Sequence, residues 1–313
     1  MRDNFNREIN YLRISVTDLC DLRCKYCMPL NGVDKKCHHQ ILSIERIEEI
    51  VNEFASIGIN KIRITGGEPL VRNGIVDIVR RIKAIKGIKE VDLTTNGVKL
   101  KSLAKELYDA GLDRLNISLD TLSEKKYHEI TRVGDINNVL EGIKEAQKIG
   151  FKNIKINTVL IGGFNDDEIE DFIDFANDHE LTVRFIELMP IGESSHFAKE
   201  SFVPNDFISK NERLEFVKSD GVSSLYQCKD GKGFIGLISP FSNKFCKECN
   251  RIRLTADGKI KPCLHSSQEI DVSNLFKKEL KKALIDSIKA KPKEHHLESG
   301  FSDSMRDMHR IGG

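Results

Sequence analysis

Six of the eight cysteines fall into two groups whose spacing suits metal or cluster chemistry. The first, Cys20, Cys24 and Cys27, reads C-x3-C-x2-C. Three thiolates in one short loop can each hold an iron of a cubane cluster. The remaining iron then has no protein ligand and is open to a small molecule. A structural zinc site takes four protein ligands; Cys37, His38 and His39 are near, but outside this loop. The second group, Cys246, Cys249 and Cys263, again offers three thiols. A zinc knuckle completed by His265 is here the alternative to a cluster. Cys37 and Cys228 stand alone and read as ordinary thiols. Two further phrases carry chemistry. In Thr65-Gly66-Gly67-Glu68-Pro69 the glycines permit close backbone approach and the carboxylate complements an ammonium, although such a turn is also common between strand and helix. In Arg251-Ile252-Arg253 the alternation puts two guanidinium groups on one strand face, suited to phosphate oxygens or simply to solvent.

The elements that position these residues repeat along the chain. A phrase of glycine followed by alternating apolar and polar residues begins at Gly58, Gly87, Gly111 and Gly150. Glycine suits a helix C-terminus, and the alternation has the two-residue period of a strand. Between the phrases lie helical stretches such as Ser43 to Ile57, with Ser43 as N-cap and Ile44, Ile47, Ile50, Val51 and Phe54 on one stripe. Leu12 to Thr17 and Thr182 to Leu188 add an earlier and a later strand. The pattern predicts six β/α units around a parallel sheet. One strand face is apolar (Ile62, Ile64, Val91, Leu93, Leu115, Ile117, Ile154, Ile156). The other is polar, with Arg13, Ser15 and Thr17, then Arg63 and Thr65, Asp92 and Thr94, Asn116 and Ser118, Lys155 and Asn157. Strands covered on both faces read as continuous apolar runs. The polar face therefore predicts a hydrated or ligand-filled interior: an open, incomplete (β/α)6 TIM-like barrel. The repeat ends near residue 190, so residues 1–190 are expected to form the barrel and 191–313 an extension packed on it.

Charge adds little. Lys and Arg number 49 against 48 Asp and Glu, a formal net charge of +1, which gives no general attraction to nucleic acid or bilayers. No apolar run reaches the roughly 20 residues of a membrane span. The start at Met1 lacks the apolar stretch of a secretory signal, and the expectation is a cytoplasmic protein whose clustered thiols serve metal.

With its cysteine loop at the end of one strand, Tyr26 just before the third cysteine, and Gly66-Gly67-Glu68-Pro69 at the end of the next, the chain resembles the radical S-adenosylmethionine (SAM) superfamily. The likeness narrows over the whole chain. Tyr11 to Asp18, Lys61 to Leu70, Phe185-Ile-Glu-Leu-Met-Pro190, Cys249-Asn-Arg-Ile-Arg-Leu-Thr-Ala-Asp-Gly258 and the terminal Ile311-Gly312-Gly313 resemble the GTP 3′,8-cyclase family of molybdenum-cofactor biosynthesis. Departures are minor: Leu19 stands where that family more often has Arg, and the segment Lys35 to Gln40 varies in charge.

The resemblance implies roles residue by residue. Cys20, Cys24 and Cys27 would hold the SAM-cleaving 4Fe–4S cluster, with Tyr26, Gly67, Glu68, Ser118 and Met189 around SAM. Cys246, Cys249 and Cys263 would hold a second 4Fe–4S cluster. Arg13, Arg63, Thr94, Lys155, Arg251, Ile252 and Arg253 would hold GTP, and Arg13, Arg251, Arg253, Gly312 and Gly313 would serve catalysis, the tail inserting toward the site. The activity implied is that of a lyase: hydrogen leaves the ribose 3′ carbon of GTP, which then bonds to carbon 8 of guanine. An electron donor, a downstream cyclic pyranopterin monophosphate synthase and a homodimer are implied as well. A second radical SAM reading, a peptide maturase with an auxiliary cluster, is disfavoured by the Cys-Asn-Arg-Ile-Arg phrase. A non-catalytic zinc-binding protein is the rival outside enzymes.

Overall fold

In the computed structural model, which describes residues 1–33, 40–196, 201–219, 222–297 and 302–312, all four phrase glycines adopt positive φ, between 90° and 116°. Each closes a helix and starts a strand. Cys37, His38, His39 and Gly313 lie outside the described residues.

The strands that follow the phrase are β2 (Lys61–Thr65), β3 (Glu90–Thr95), β4 (Arg114–Ser118) and β5 (Ile154–Leu160); β1 (Tyr11–Ser15) and β6 (Thr182–Glu187) flank them. These six pair in parallel and in sequence order. Helices α1 (Ile44–Ser56), α2 (Ile75–Ala84), α3 (Leu100–Asp109), α4 (Glu124–Thr131), α5 (Ile136–Ile149) and α6 (Ile169–Asp178) connect them, α4 and α5 both between β4 and β5. Ser43 caps α1 by accepting from the Arg46 amide, and Ile47, Ile50, Val51 and Phe54 are its buried stripe. The predicted apolar strand face joins this stripe in one core: Ile62, Ile64, Val91, Leu93, Leu115, Ile117 and Ile156 are fully buried. Burial of each such side chain contributes about 1.5–3 kcal/mol.

The extension does not stack on the barrel as a separate layer. It lengthens the sheet at both edges. Strand β9 (Phe234–Ile238) pairs in parallel with β6, followed outward by antiparallel β8 (Ser224–Cys228) and β7 (Leu214–Ser219). At the other edge β10 (Arg251–Leu254) pairs in parallel with β1, followed by β11 (Lys259–Lys261) and β12 (Ile270–Asp271). The strand order β12-β11-β10-β1-β2-β3-β4-β5-β6-β9-β8-β7 has two ends, so the barrel is open. Helix α7 (Lys277–Lys289) packs beside α1, where Arg46 donates to the carbonyls of Val272, Ser273 and Leu275. Helix α8 (Met308–Ile311) ends the described chain.

The register sets the interior. Arg253, Arg13, Arg63 and Asp92 stand side by side in one row across β10, β1, β2 and β3. Thr94, Asn116 and Lys155 form the next row across β3, β4 and β5. Among the described residues no helix is long and apolar enough to cross a membrane.

Candidate active site

The C-terminal ends of the strands surround a cavity of about 210 Å³. Its lining includes Cys20, Cys24 and Cys27, Gly66 to Glu68, Tyr26, Thr94, Ser118 and Met189. A larger cleft of about 470 Å³, lined by Ser219, Ser239, Asn243, Lys244 and Glu248 among others, holds none of the expected site residues.

The cysteine loop after β1 is fastened to α4 and to β3. The amides of Arg23 and Lys25 donate to the carbonyls of Thr131 and Ile130, and Arg132 donates back to the carbonyls of Arg23 and Met28. The Asn96 side-chain amide donates to Asp21 at 2.7 Å, and Tyr26 donates to Asp120 at 2.6 Å. Burial pushes all three thiols up, Cys27 to about 12, with neighbouring negative charge adding to it: Cys27 acts on Cys24, and Asp307 and Asp120 act on Cys27. Thiols crowded this way become thiolates only beside strong positive charge, and an iron–sulfur core with an open iron supplies it. The donor set therefore fits such a cluster.

The glycines of the Gly66-Gly67 turn make their close approach to the chain itself. A Cβ on Gly66 would lie 2.6 Å from the Thr17 carbonyl oxygen, and one on Gly67 2.4 Å from that of Leu19. The amides of Gly67 and Glu68 donate to those same two carbonyls at 2.7 and 2.8 Å. The turn thus locks the cysteine loop to β2. Glu68 is equally engaged: Oε1 accepts from the Leu70 amide and the Thr95 hydroxyl, Oε2 from the Asn96 amide. A carboxylate has about four acceptor positions, so one on Oε2 remains. Burial lifts the Glu68 carboxyl to about 7, the three donors offsetting it only in part.

The basic row is crowded. Burial and then the charge of Arg253 push Arg13 well below the usual arginine range, and burial with Arg251 brings Arg253 down to about 10. Arg63 is better matched, donating to the Tyr11 hydroxyl and to Asp92 at 2.6 Å. A buried group of like charges is a ready site for a polyanion. Ile252 is the exception among the expected substrate residues: its side chain is 1% exposed in the apolar core, on the strand face opposite Arg251 and Arg253. Any contact there must come from its main chain.

The second cysteine group lies at the outer end of this row. Cys246 and Cys249 bracket a short turn, the Cys249 amide donating to the Cys246 carbonyl at 3.3 Å. Arg7 holds that turn by donating to the Cys246 carbonyl at 2.8 Å. Burial raises Cys249, but Lys291 and Arg251 outweigh it and bring the thiol to about 7. Cys249 and Cys263 both act on Cys246 and on Arg253. His265 does not join them: Nδ1 is 3.1 Å from the Ser302 hydroxyl, the ring packs edge-on to His295, and burial drops it to about 3. Among the described residues no three His, Cys, Asp or Glu side chains converge on one metal ion. Thiolates of a cluster bind separate irons instead.

The tail enters between the two cysteine groups. Arg253 donates to the Gly312 carbonyl, and Gly312 packs against Thr65 and Ser15. Arg306 anchors the approach through Asp257 and Glu269, with contacts of 2.6 to 3.0 Å. The site residues missed by sequence reading are Asn96, Asp120 and His309. Asn96 and Asp120 stand two residues beyond Thr94 and Ser118, so carrying the polar alternation past the strand ends finds them. No local signal marks His309.

Comparison with known proteins follows the same division. The radical SAM superfamily matches residues 14–176 and Molybdenum Cofactor Synthesis C residues 181–297. The chain is 52% identical to the GTP 3′,8-cyclase of Peptoclostridium acidaminophilum, over 99% of this chain and 98% of that one. It is 50% identical to that of Alkaliphilus metalliredigens, over the full length of both. The chain belongs to the GTP 3′,8-cyclase family. Radical SAM membership brings with it SAM and an iron–sulfur cluster. The fold extends to more distant enzymes. Streptococcus suis SuiB bound to its precursor peptide SuiA has a TM-score of 0.64 at 17% identity, covering 92% of this chain and 68% of that one. AnSMEcpe with bound AdoMet has a TM-score of 0.58 at 14% identity, covering 96% and 87%. These two share the fold at low identity, and the GTP 3′,8-cyclases match essentially the whole chain at about half identity.

Proposed function

We propose that this chain converts GTP to its 3′,8-cyclo-7,8-dihydro form, as a lyase, with SAM and two 4Fe–4S clusters. Cys20, Cys24 and Cys27 would hold the first cluster, and Tyr26, Gly67, Glu68, Ser118 and Met189 would surround SAM. Cys246, Cys249 and Cys263 would hold the second. With SAM bound and one electron from the donor, the first cluster would supply the reductive cleavage of the sulfonium carbon–sulfur bond, leaving methionine and a 5′-deoxyadenosyl radical that would take hydrogen from the ribose 3′ carbon. The 3′ carbon then bonds to carbon 8, and one electron and one proton complete the product.

The observation that carries this reading is the position of Arg253. It stands beside Cys249 and Cys263, shares a register row with Arg13 and Arg63, and holds the tail against Thr65 of the cavity wall. GTP bound on Arg13, Arg63, Lys155, Arg251 and Arg253, with Thr94, would reach from one cysteine group to the other. The chain's own tasks are to neutralise the triphosphate, hold the two reactants at attack distance and keep water away. Gly312 supports the last two by filling the space between Arg253 and Thr65; Gly313 belongs to the same proposal. The barrel and extension divide near residue 190. Free thiols throughout the described residues suit a reducing, cytoplasmic setting. In the same reading the chain is a homodimer, takes electrons from a separate donor and hands its product to cyclic pyranopterin monophosphate synthase.

GTP carrying deuterium at the 3′ carbon tests the assignment. The label is expected in 5′-deoxyadenosine after one turnover. Unlabelled 5′-deoxyadenosine formed alongside cyclised product would contradict it.

A further inference from the structure

His309 is 1% exposed and lines the cavity that holds Cys27, Ser118, Asp120 and Met189. Its Nδ1 lies 3.1 Å from the Cys27 carbonyl oxygen. A carbonyl only accepts, so Nδ1 carries the hydrogen. In the neutral tautomer with its hydrogen on Nδ1, Nε2 is an acceptor. That atom is itself buried and has no hydrogen-bond partner. Leaving a buried acceptor unmet is costly, and the tail gives the ring little freedom to turn away. Arg306 clamps the tail to Asp257 and Glu269 on one side. On the other, Ile311 is buried and Gly312 is held by Arg253. Asp307 fits against Gly192 so closely that a Cβ there would lie 2.5 Å from its Oδ1. A molecule in the cavity can supply that donor.

Resting on the reading of this cavity as the SAM site, we propose that His309 is a SAM-binding residue whose Nε2 accepts a hydrogen bond from a hydroxyl or amino group of the adenosyl moiety. Because the same ring holds the tail to the cysteine loop, SAM binding and tail docking reinforce each other, each by the same factor. Gly67 and Ser118 line the cavity from the strand ends, and His309 lines it from the tail.

Two variants separate the ring's two nitrogens. In His309→Asn the amide nitrogen stands near Nδ1, keeping the donor to Cys27 and losing the acceptor. In His309→Gln the amide oxygen reaches toward Nε2 and keeps the acceptor. SAM affinity of the reconstituted full-length protein is measured anaerobically by equilibrium dialysis, with hydrogen exchange of residues 302–312 followed in parallel. His309→Asn is expected to weaken SAM about tenfold and to lose the SAM-induced protection of the tail, with protection in the absence of SAM, iron content and GTP affinity unchanged. His309→Gln is expected to bind SAM within about threefold of the parent protein, a fraction of one hydrogen bond. Unaltered SAM affinity in His309→Asn would overturn the proposal, as would a loss confined to GTP. A tail already unprotected in His309→Asn without SAM would assign the ring a structural role instead. Failure of the parent protein to bind SAM would sink the reading of the cavity itself, independently of either variant.

Discussion

Gly312→Val is expected to reduce cyclisation at least about a hundredfold, the scale of loss when reacting groups are displaced by about 1 Å, while iron content stays that of the parent protein. Two effects combine. Gly312 has φ of +76°, a conformation that costs an L-residue about 1–2 kcal/mol. Its Cβ would also lie 2.1 Å from the Thr65 hydroxyl oxygen and 3.5 Å from the Ser15 Cβ. Thr65 cannot yield cheaply, because its hydroxyl donates to the Ile14 carbonyl and its Cβ, 3.2 Å away, is fixed on a paired central strand. The terminal turn must therefore withdraw, and Arg253 loses the Gly312 carbonyl. Deleting Gly312 and Gly313 should act in the same direction. Product assay beside iron analysis distinguishes the cases: full cyclisation by Gly312→Val would show that the tail has no part in the reaction.

The second large effect is one of pH. Burial raises the Glu68 carboxyl from 4.5 to about 7, with the charge of Asp21 adding to it and three donors opposing. In the SAM-free protein the folded state thus keeps a proton that the unfolded chain releases near 4.5. Its contribution to stability is complete below that value and lost as pH rises through about 7. An ammonium at the remaining Oε2 position reverses the balance, because it favours the carboxylate. SAM is therefore expected to bind about fivefold more tightly at pH 7 than at pH 6 through this group alone. The ratio of parent to Glu68→Gln affinities cancels the titration of SAM's own amine. At pH 7.5 the variant should bind SAM at least about tenfold more weakly, having lost a partly buried charge pair. A ratio that stays flat between pH 6 and pH 7 would mean that Glu68 serves only to tie β2 to β3.

Much of this was legible in the residues, for identifiable reasons. A period of two shows directly which side of β2 carries Ile62 and Ile64 and which carries Arg63 and Thr65, since one face is covered by helices and the other is not. Ser43 marks α1 because an N-cap favours a short side chain whose oxygen can accept from the first turn. Cysteine spacing located the first group because ligands from one loop must lie close in sequence; in the second, the antiparallel pair β10–β11 separates Cys263 from Cys246 and Cys249. What stayed hidden depends on pairing between distant segments. Nothing local says that Arg251–Leu254 will lie parallel to β1, and like charges facing across strands are ordinarily avoided, so the row Arg253-Arg13-Arg63 is invisible until the sheet is assembled. The same holds for Ile252, whose neighbours mark a binding strand while its own side chain faces the core. Gly66 and Gly67 line the cavity, and the close approach their lack of a Cβ permits is also to the cysteine loop, which no local pattern shows. His309 escaped because a lone histidine in a polar tail has no partner in sequence, only the carbonyl of Cys27 in space.

The measurement that tests the central claim most directly is anaerobic incubation of the reconstituted protein with SAM, a strong reductant and GTP, followed by mass spectrometry. The account predicts 5′-deoxyadenosine whose formation depends on GTP, together with a product of the same mass as GTP in which the 3′ carbon is joined to carbon 8. Absence of both, with two intact clusters verified in the same sample, would contradict it.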